Sequence, residues 1–542
     1  MQNEENYRSV LVLGNGAFCL NVGHEIESLS CPVTVALSSD LDPQRLGAGS
    51  LDAELWASAR ILDFSGRPGR FRAVFDVEGE VKEGLFGCVV VALECLWKSS
   101  LDKWADADTE GIVALSRFSE PSTSPAGQIR AGDKVVFISG FKHSSWPSTQ
   151  EQIVTEAMAL RADRGAEVYV LTEHFKVAAE GMERLFRNAR EAGVIFVKFS
   201  NSSPDLVSGG DGLIVRYLDE AWGKAVQLRP RLVVIEDEAC PPREAPLISR
   251  MLEINASGTG FLQGDFIFNL PIFTNRTGIF VVGSGKGPMS KEQARAEARS
   301  VTLEIAKLFS CFDQSPKKPF ARLDERRCGQ CLTCFRICPH RAISIYYEKS
   351  KPQISPIACR GCGLCVAACP MKAIDLDGYE RDDVMGQLDR EVDRMLAETS
   401  DDQPKVLALA CQNSAYDAYM LAKEQGSSVM RGLSVFKIPC GGRVDLEQIV
   451  RPLHAGVDGV MVLACHHDSC KSVYGSITCE QRVRILQGML EQVGVDKAKV
   501  SFATIAPGAG AEFVALLNDF RDRLAAMNSA NGLQDRSVES EK

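Results

Sequence analysis

The chain has 542 residues, a formal net charge of −10 and 19 cysteines. One hydrophobic core seldom extends beyond about 300 residues, so this length predicts several domains. The acidic balance argues against a nucleic-acid-binding protein, whose affinity would rest on a basic surface. The first residues show no basic stretch followed by an apolar run, and no apolar segment approaches the ~20 residues that cross a bilayer. We therefore expect no membrane insertion and a cytoplasmic location, with any attachment to the inner face of the membrane made through a partner protein.

Short apolar strands alternate with helical stretches over roughly the first 310 residues, a pattern that predicts α/β domains with open parallel sheets. The strand VLVLG runs into Gly14 and Gly16 of GNGAFC. This turn lacks the third glycine of a dinucleotide fingerprint, and VALSSD offers serines where a ribose-binding acid would stand. A tight strand-to-helix turn is the alternative explanation of the two glycines.

The strand pattern restarts at Asp133 with KVVFISG. Its first turn, VFISGFKHSS, has no glycine-rich phosphate loop, so we expect no direct NAD(P) binding there. A last strand, GIFVVG, leads into a glycine-rich turn and a long helical stretch. The glycines of that turn are Gly283, Gly285 and Gly287.

Thirteen of the cysteines lie between Cys328 and Cys479. A secreted disulfide scaffold would be short and rich in cysteine along its whole length, so these thiols are predicted to be metal ligands in a reducing cytoplasm. The six cysteines before this region lack ligand spacing and are expected to pack in cores. They are Cys19, Cys31, Cys88, Cys95, Cys240 and Cys311.

One cysteine motif occurs twice, as CGQCLTCFRICP and, thirty-one residues later, as CRGCGLCVAACP. Three closely spaced thiolates can wrap one 4Fe-4S cluster, and in bacterial-type ferredoxins the fourth cysteine of each run ligates the other cluster. Two zinc sites are the alternative. Zinc needs only four ligands in pairs, so it does not explain the third close cysteine of each run or the proline that follows the fourth. The first predicted ligand set is Cys328, Cys331, Cys334 and Cys369, and the second is Cys359, Cys362, Cys365 and Cys338.

The C-terminal region reads as a third α/β unit, in which KVLALA, SVFKIP and GVMVLA are strands. They end at Cys411, Cys440 and Cys465, and Cys470 follows five residues after the last of these. Parallel strands end at one edge of a sheet, so the four thiols are predicted to converge on a metal, with zinc and 2Fe-2S both allowed. A cysteine nucleophile beside His466 or His467 would leave the other thiols unexplained. Cys479 lies in a helical run and is expected to pack.

The stretch IPCGGRVDLEQIVRPLHAGVDGVMVLACHHDSC resembles the iron-sulfur delta subunit of methyl-viologen-reducing hydrogenases. That family carries Cys-Ser/Gly-Gly-Arg-Val-Asp and Gly-Cys-His-x-x-x-Cys. The resemblance implies one 2Fe-2S cluster held by the four cysteines, with zinc as the alternative. Where the family often has Cys-x-x-Cys, Cys411 is followed by Gln412, Asn413 and Ser414.

A second resemblance rests on EVYVLTEHFKVAAEGMERLFRNAREAGVIFVKFS, RLVVIED and TNRTGIFVVGSGKGPMSKEQARAEA. These stretches are similar to the A subunit of heterodisulfide reductase and to the B subunit of the quinone-interacting membrane-bound oxidoreductase, flavoproteins with a thioredoxin-reductase-like fold. The resemblance implies two dinucleotide-binding-like domains, one split between 1–132 and 266–312, the other inserted as 133–265. It also implies flavin contacts at the five glycines, although the degenerate first turn leaves FAD binding open. These are Gly14, Gly16, Gly283, Gly285 and Gly287.

The remaining chain is predicted to divide into a linker (313–325), a ferredoxin domain (326–378), a helical linker (379–403), a delta-subunit-like domain (404–526) and a disordered tail (527–542). The predicted function is electron transfer within a multi-subunit anaerobic oxidoreductase, with no catalytic residue in this chain. Expected partners are heterodisulfide-reductase-like, hydrogenase-like or quinone-reactive membrane subunits. The alternatives are an FAD-dependent oxidoreductase that bifurcates electrons or reduces a small substrate, and a zinc-containing docking scaffold.

Overall fold

The structure is a computed structural model. It describes residues 7–38, 51–101, 111–120, 124–140, 144–199, 204–209, 212–220, 222–262, 270–312, 319–346, 349–400, 403–425 and 431–539. Part of the predicted linker (313–318), the end of VALSSD (39–40) and residues 141–143 of the VFISGFKHSS turn lie outside the described residues.

Strands and helices alternate in several parts of the described chain, whereas residues 54–114 and 195–240 contain successive strands with no α-helix among the described residues. The strands are β1 Val10–Gly14, β2 Val33–Leu37, β3 Glu54–Trp56, β4 Ala59–Arg67, β5 Arg70–Val77, β6 Glu80–Phe86, β7 Cys88–Ala92, β8 Leu96–Lys98, β9 Ile112–Ala114, β10 Lys134–Ser139, β11 Glu167–Thr172, β12 Ile195–Lys198, β13 Asp205–Gly209, β14 Gly212–Asp219, β15 Lys224–Leu228, β16 Leu232–Ile235, β17 Glu238–Cys240, β18 Ile279–Val281, β19 Ala321–Leu323, β20 Ile343–Tyr346, β21 Lys349–Ile354, β22 Ile374–Leu376, β23 Val406–Cys411, β24 Leu433–Ile438, β25 Gly459–Ala464 and β26 Val500–Thr504. The helices are α1 Ala17–Glu27, α2 Leu115–Ser119, α3 Pro147–Arg164, α4 Met182–Glu191, α5 Ala245–Leu252, α6 Lys291–Ser310, α7 Thr333–Ile337, α8 Leu364–Ala368, α9 Arg381–Glu398, α10 Ala415–Glu424, α11 Glu447–Ala455, α12 Gly475–Gln492 and α13 Gly510–Glu539.

The first sheet is parallel and has the order β18-β7-β1-β2-β3. Its central strands are buried on both faces, which explains their unbroken apolar sequences. Helices α1 and α6 pack on one face, and the antiparallel meander β4-β5-β6 packs on the other. Strand β18 pairs with β7 of this sheet, although it follows the strands of the second sheet in the chain.

The second sheet is also parallel, in the order β12-β11-β10-β16-β9. Helices α3 and α4 cover one face, and the antiparallel strands β13-β14-β15 cover the other. The parallel sheets confirm the predicted α/β class. The sequence did not anticipate the two antiparallel meanders as units, because alternating strands on one solvated layer give a weaker pattern than buried parallel strands.

The C-terminal sheet is parallel in the order β24-β23-β25-β26. Helices α9, α11 and α12 pack on one face, while α10 and α13 pack on the other. Helix α9, which the sequence assigns to a linker, therefore contributes to this core through residues such as Leu388 and Val392. Helix α13 continues to Glu539, through most of the predicted disordered tail; the side chains of 528–542 lie outside the described residues.

Two short antiparallel pairs, β19-β22 and β20-β21, frame the cysteine-rich region between these units. Within the described residues, every helix is too short or too polar to cross a membrane.

Candidate metal centres

The two cysteine runs form the same backbone shape twice. In each run, left-handed residues stand two and four positions after the first cysteine, and a third follows the proline by two positions. The matching pairs are Gln330 and Gly361, Leu332 and Gly363, and Arg341 and Lys372. Each pair is separated by the thirty-one residues that separate the sequence motifs, so the sequence repeat is a structural repeat.

Backbone N–H groups point at the cysteine sulfurs in both copies. The amide of Ala342 donates to Cys338 Sγ at 3.4 Å, and the amide of Ala373 donates to Cys369 Sγ at 3.3 Å. Hydrogen bonds of this kind stabilise a thiolate, and they tune the potential of a cluster that the thiolate ligates. These positions therefore suit anionic sulfur ligands.

The cysteines gather in two groups, and each group includes the fourth cysteine of the other run. Burial raises the pKa of the Cys334 thiol, and the charges of Cys369, Cys328 and Cys331 raise it further. Burial raises the pKa of Cys362 to about 12, with Cys338 and Cys359 as its charged neighbours. These neighbours agree with the two ligand sets that the ferredoxin spacing predicts, and the sets themselves stay a prediction.

Four further thiols meet at the carboxyl edge of the C-terminal sheet. Cys411 Sγ and Cys465 Sγ are 3.7 Å apart, and all four cysteines of this group are buried. A hydrogen bond from Cys465 lowers the pKa of Cys411 to about 7, and hydrogen bonds from Cys440 and Cys465 hold the pKa of Cys470 well below its usual range. The sulfurs form a continuous series from Cys411 through Cys465 and Cys470 to Cys440.

The separation of 3.7 Å is close to the value of about 3.8 Å expected for two thiolates on one tetrahedral metal with bonds of about 2.3 Å. Among the described residues, no three or more His, Cys, Asp or Glu side chains are grouped as ligands of a single ion. The thiols of a 2Fe-2S cluster bind two different irons, in pairs.

Both histidines of ACHHDSC have other partners. His466 Nδ1 is 2.9 Å from Thr504 Oγ1. His467 uses both ring nitrogens, at 3.0 Å from Ser476 Oγ and 2.9 Å from Glu480 Oε2. Their hydrogen bonds favour a structural role over the nucleophile alternative.

A turn of three residues, Gly441–Arg443, joins the C-terminal centre to the cysteine-rich region. A Cβ on Gly442 would lie 2.7 Å from Leu364 Cγ of α8 and 3.2 Å from Gly475 Cα of α12. The charge of Cys362 contributes to raising the pKa of Cys440, after its hydrogen bond with Cys470 and its burial. The ligand groups of two centres are therefore close neighbours.

Arg443 and Gly363 are in close contact, and the sequence assigned no role to either residue. We expect Gly363→Ala to destabilise the chain by about 3 kcal/mol, because it adds a clash to a strained backbone angle. The φ of Gly363 is +75°, and its Cβ would lie 2.6 Å from Arg443 Cδ. Gly378→Ala is the matched control: φ is +73° with nothing within 4 Å, so the expected cost is about 1 kcal/mol. Urea unfolding measures both, and equal costs would contradict the steric role of Gly363.

The turn between β1 and α1 is filled by the chain itself. A Cβ on Gly14 would lie 2.2 Å from Cys19 Cβ, and one on Gly16 would lie 2.4 Å from Glu94 Oε1. The Glu94 carboxylate accepts a hydrogen bond from the Phe18 amide at 2.7 Å. The first-turn N–H groups of a helix are a favourable site for an anion. Glu94 occupies that site, where its charge would repel a pyrophosphate.

The three glycines after β18 also face internal groups. Glu297 of α6 accepts hydrogen bonds from the Gly283 amide at 2.8 Å and from Lys286 Nζ at 2.6 Å, which fixes this loop. The nearest atoms to an added Cβ are Phe18 Cε1 at 2.4 Å for Gly283, Leu93 O at 2.9 Å for Gly285 and Trp146 Cη2 at 2.8 Å for Gly287.

Glu244, the residue directly before α5, contacts the same region. Glu244 Oε1 accepts a hydrogen bond from Ser38 Oγ at 2.9 Å, and its Oε2 lies 3.4 Å from Asn15 Nδ2. The cavity beside Gly14 and Glu244 measures about 200 Å³. A larger cavity of about 820 Å³, lined by Phe18, Glu94 and Gly283, falls within the range of about 300–1,000 Å³ for small-molecule and cofactor sites. The volume of the larger cavity suits a cofactor, but the Glu94 carboxylate at the N-terminus of α1 does not suit the pyrophosphate of FAD. The flavin contacts at the five glycines stay a prediction of the resemblance.

Comparison with known proteins identifies the C-terminal unit. Residues 406–528 match the family described as methyl-viologen-reducing hydrogenase, delta subunit. The D iron-sulfur subunit of the F420-non-reducing hydrogenase from Archaeoglobus profundus is 30% identical over 118 residues, which cover 86% of that protein and 22% of this chain. In its C-terminal domain, the chain belongs to this hydrogenase delta-subunit family. The delta-subunit domain contains all four cysteines of the sheet-edge group.

The cysteine-rich region also has a family match. Residues 327–373 match a 4Fe-4S dicluster domain, which confirms the prediction of a ferredoxin-type domain with 4Fe-4S clusters. This domain lies directly before the delta-subunit domain in the chain.

Longer matches extend into the N-terminal half. The A subunit of ferredoxin:CoB-CoM heterodisulfide reductase from Methanosarcina mazei is 23% identical over 415 residues, 76% of this chain and 51% of that protein. The A subunit of the ferredoxin/F(420)H(2)-dependent CoB-CoM heterodisulfide reductase from Methanosarcina acetivorans is 26% identical over 349 residues, 64% of this chain and 42% of that protein. The chain thus spans about half the length of these relatives. Thioredoxin reductase of Lactococcus lactis aligns with 56% of this chain and 99% of its own, at 14% identity and a TM-score of 0.36.

Proposed function

We propose that this chain is an electron-transfer subunit of a heterodisulfide-reductase-like complex. It carries electrons between a 2Fe-2S centre in the delta-subunit domain and two 4Fe-4S clusters in the ferredoxin domain. The observation that carries this proposal is the joint between the two domains, where Cys440 neighbours Cys362 and the turn Gly441–Arg443 packs on α8. Redox centres held in one packed unit need no diffusing carrier between them.

The joint is also fastened by ion pairs. Arg381 pairs with Asp445 at 2.7 Å, with both side chains largely buried, and Lys372 pairs with Glu447 at 2.8 Å. A largely buried, hydrogen-bonded pair is costly to break, because one charge is then left without its partner. The two domains are thereby held in one relative position, as a fixed transfer path requires.

The proposed ligands are the three groups of four cysteines described above. Two thiolates 3.7 Å apart at Cys411 and Cys465 support one iron of a 2Fe-2S centre, with Cys440 and Cys470 on the other. The relative from Archaeoglobus profundus is named an iron-sulfur subunit, which favours iron over zinc here.

The path has an interior end and a surface end. The ferredoxin cysteines near the delta-subunit domain, Cys359 and Cys365, are buried, whereas Cys331 of the other group is exposed. We therefore place the exchange of electrons with a partner protein at the cluster of Cys331. Proposed partners are heterodisulfide-reductase-like, hydrogenase-like or quinone-reactive membrane subunits.

Metal analysis tests the proposal directly. We expect protein purified without oxygen to contain about ten irons per chain, from two 4Fe-4S clusters and one 2Fe-2S cluster. Iron, zinc and acid-labile sulfide are measured on the same sample. About eight irons with one zinc would mean that the delta-subunit domain holds a structural zinc ion and no 2Fe-2S cluster. Absence of iron from the ferredoxin cysteines would overturn the electron-transfer function.

A further inference from the structure

The side chain of Arg443 is buried in the joint without hydrogen-bond partners. Its exposure is 1%, and none of Nε, Nη1 and Nη2 has a partner among the described residues. A guanidinium has five N–H donors, and leaving buried donors unpaired is costly. Its contact with Asp445, 3.5 Å from Nη1, is an ion pair without a hydrogen bond. The buried donors therefore require an acceptor that the part of the chain described by the structure does not supply.

The position of Arg443 indicates what that acceptor is. Its backbone amide donates a hydrogen bond to Cys440 O at 2.9 Å, so the backbone of Arg443 lies beside a proposed ligand of the C-terminal centre. Its side chain packs against Gly363, which lies between Cys362 and Cys365 in the sequence. A Cβ added to Gly363 would lie 3.1 Å or less from the Cβ, Cγ and Cδ atoms of Arg443. Cys365 is among the charged groups that act on it, together with Asp445, Arg381 and Asp375. One residue thus joins the two proposed centres.

We propose that the guanidinium of Arg443 donates hydrogen bonds to sulfur atoms of one 4Fe-4S cluster and thereby raises the reduction potential of that cluster. The proposed ligands of this cluster are Cys338, Cys359, Cys362 and Cys365. This inference rests on the proposed function. The cluster gains one electron on reduction and becomes more negative, so a fixed positive charge beside it stabilises the reduced form. Hydrogen bonds to sulfur act in the same direction. Arg443 would then make this cluster a better acceptor of electrons from the delta-subunit domain.

The test compares the potentials of the centres in the full chain, titrated anaerobically and followed by electron paramagnetic resonance. Arg443→Met keeps the length of the side chain and removes its charge and its donors. We expect the ratio of reduced to oxidised cluster at a fixed potential to fall about tenfold, which corresponds to a shift of about −59 mV for one electron. Arg484→Met, on the exposed side of α12, is the control and should move no potential.

The assignment of the shifted signal uses Cys362→Ser, which should alter the cluster next to Arg443 and no other. A fully iron-loaded Arg443→Met chain with unchanged potentials would overturn the inference, as would a shift confined to the cluster of Cys331. If Arg443→Met does not fold, Arg443→Lys is measured in its place, because lysine keeps the positive charge and loses the planar fork of N–H donors. The ratio of reduced to oxidised cluster is then expected to fall about threefold, and an unchanged ratio would count against the proposal. Wild-type protein lacking iron would instead refute the proposed function itself.

Discussion

Replacing Cys465 by alanine is expected to remove the C-terminal centre and leave both ferredoxin clusters in place. Cys465 lies in the middle of the sulfur series, with Cys411 at 3.7 Å on one side and Cys470 on the other. Loss of one of four thiolates leaves a metal with an incomplete set of ligands. Iron should fall by about two per chain, and the spectrum of the 4Fe-4S clusters should persist, because their ligands lie in another domain.

Cys479→Ala is the matched control for this experiment. Cys479 is buried in the same region, and its charge interacts with those of Cys411 and Cys470. Its side chain nevertheless belongs to the apolar core that contains Val483 and Leu486. It should retain the full iron content. Loss of iron from this variant and retention in Cys465→Ala would contradict the proposed ligand set.

Reconstitution with FAD is expected to leave no flavin on the protein after desalting. The carboxylate of Glu94 occupies the helix N-terminus that a pyrophosphate would use, and Phe18 packs on Gly283. Flavin absorbance and fluorescence of the denatured supernatant measure the content. One FAD per chain would overturn this prediction and restore the alternative of a flavin-dependent oxidoreductase.

A second measurement tests whether Glu94 stabilises the turn at the start of α1, the interaction on which the flavin prediction rests. Glu94→Gln should weaken the interaction with the amide of Phe18 and the dipole of α1, at a cost of about 1 kcal/mol. Hydrogen exchange at the start of α1 should therefore quicken about fivefold, as 1 kcal/mol corresponds to that factor. Glu80→Gln, on an exposed strand end, is the control. Equal exchange in both variants would show that Glu94 does not hold this turn.

The sequence was most informative where ligands lie close together along the chain. The eight ferredoxin cysteines repeat at fixed short spacings, so the motif and the rule for bacterial-type ferredoxins were enough to predict two groups of ligands. The C-terminal group required one further step, the rule that parallel strands end at one edge of a sheet. That step was clearest for β23 and β25, which are unbroken buried runs, because β23 ends at Cys411 and β25 ends one residue before Cys465.

Features that depend on contacts between distant residues were decided by the tertiary structure. Glu94 meets the amide of Phe18 across 76 residues, and no local pattern marks it as the group that fills the α1 site. The motif CGGR identified Arg443 as part of a family resemblance, but its burial against Gly363 arises only when two domains pack together. Local spacing pointed to the thiols that are the predicted metal ligands, because ligands of one motif lie close along the chain. Long-range packing decided how these thiols adjoin and which side chains line the glycine turns, because those contacts join residues far apart in sequence.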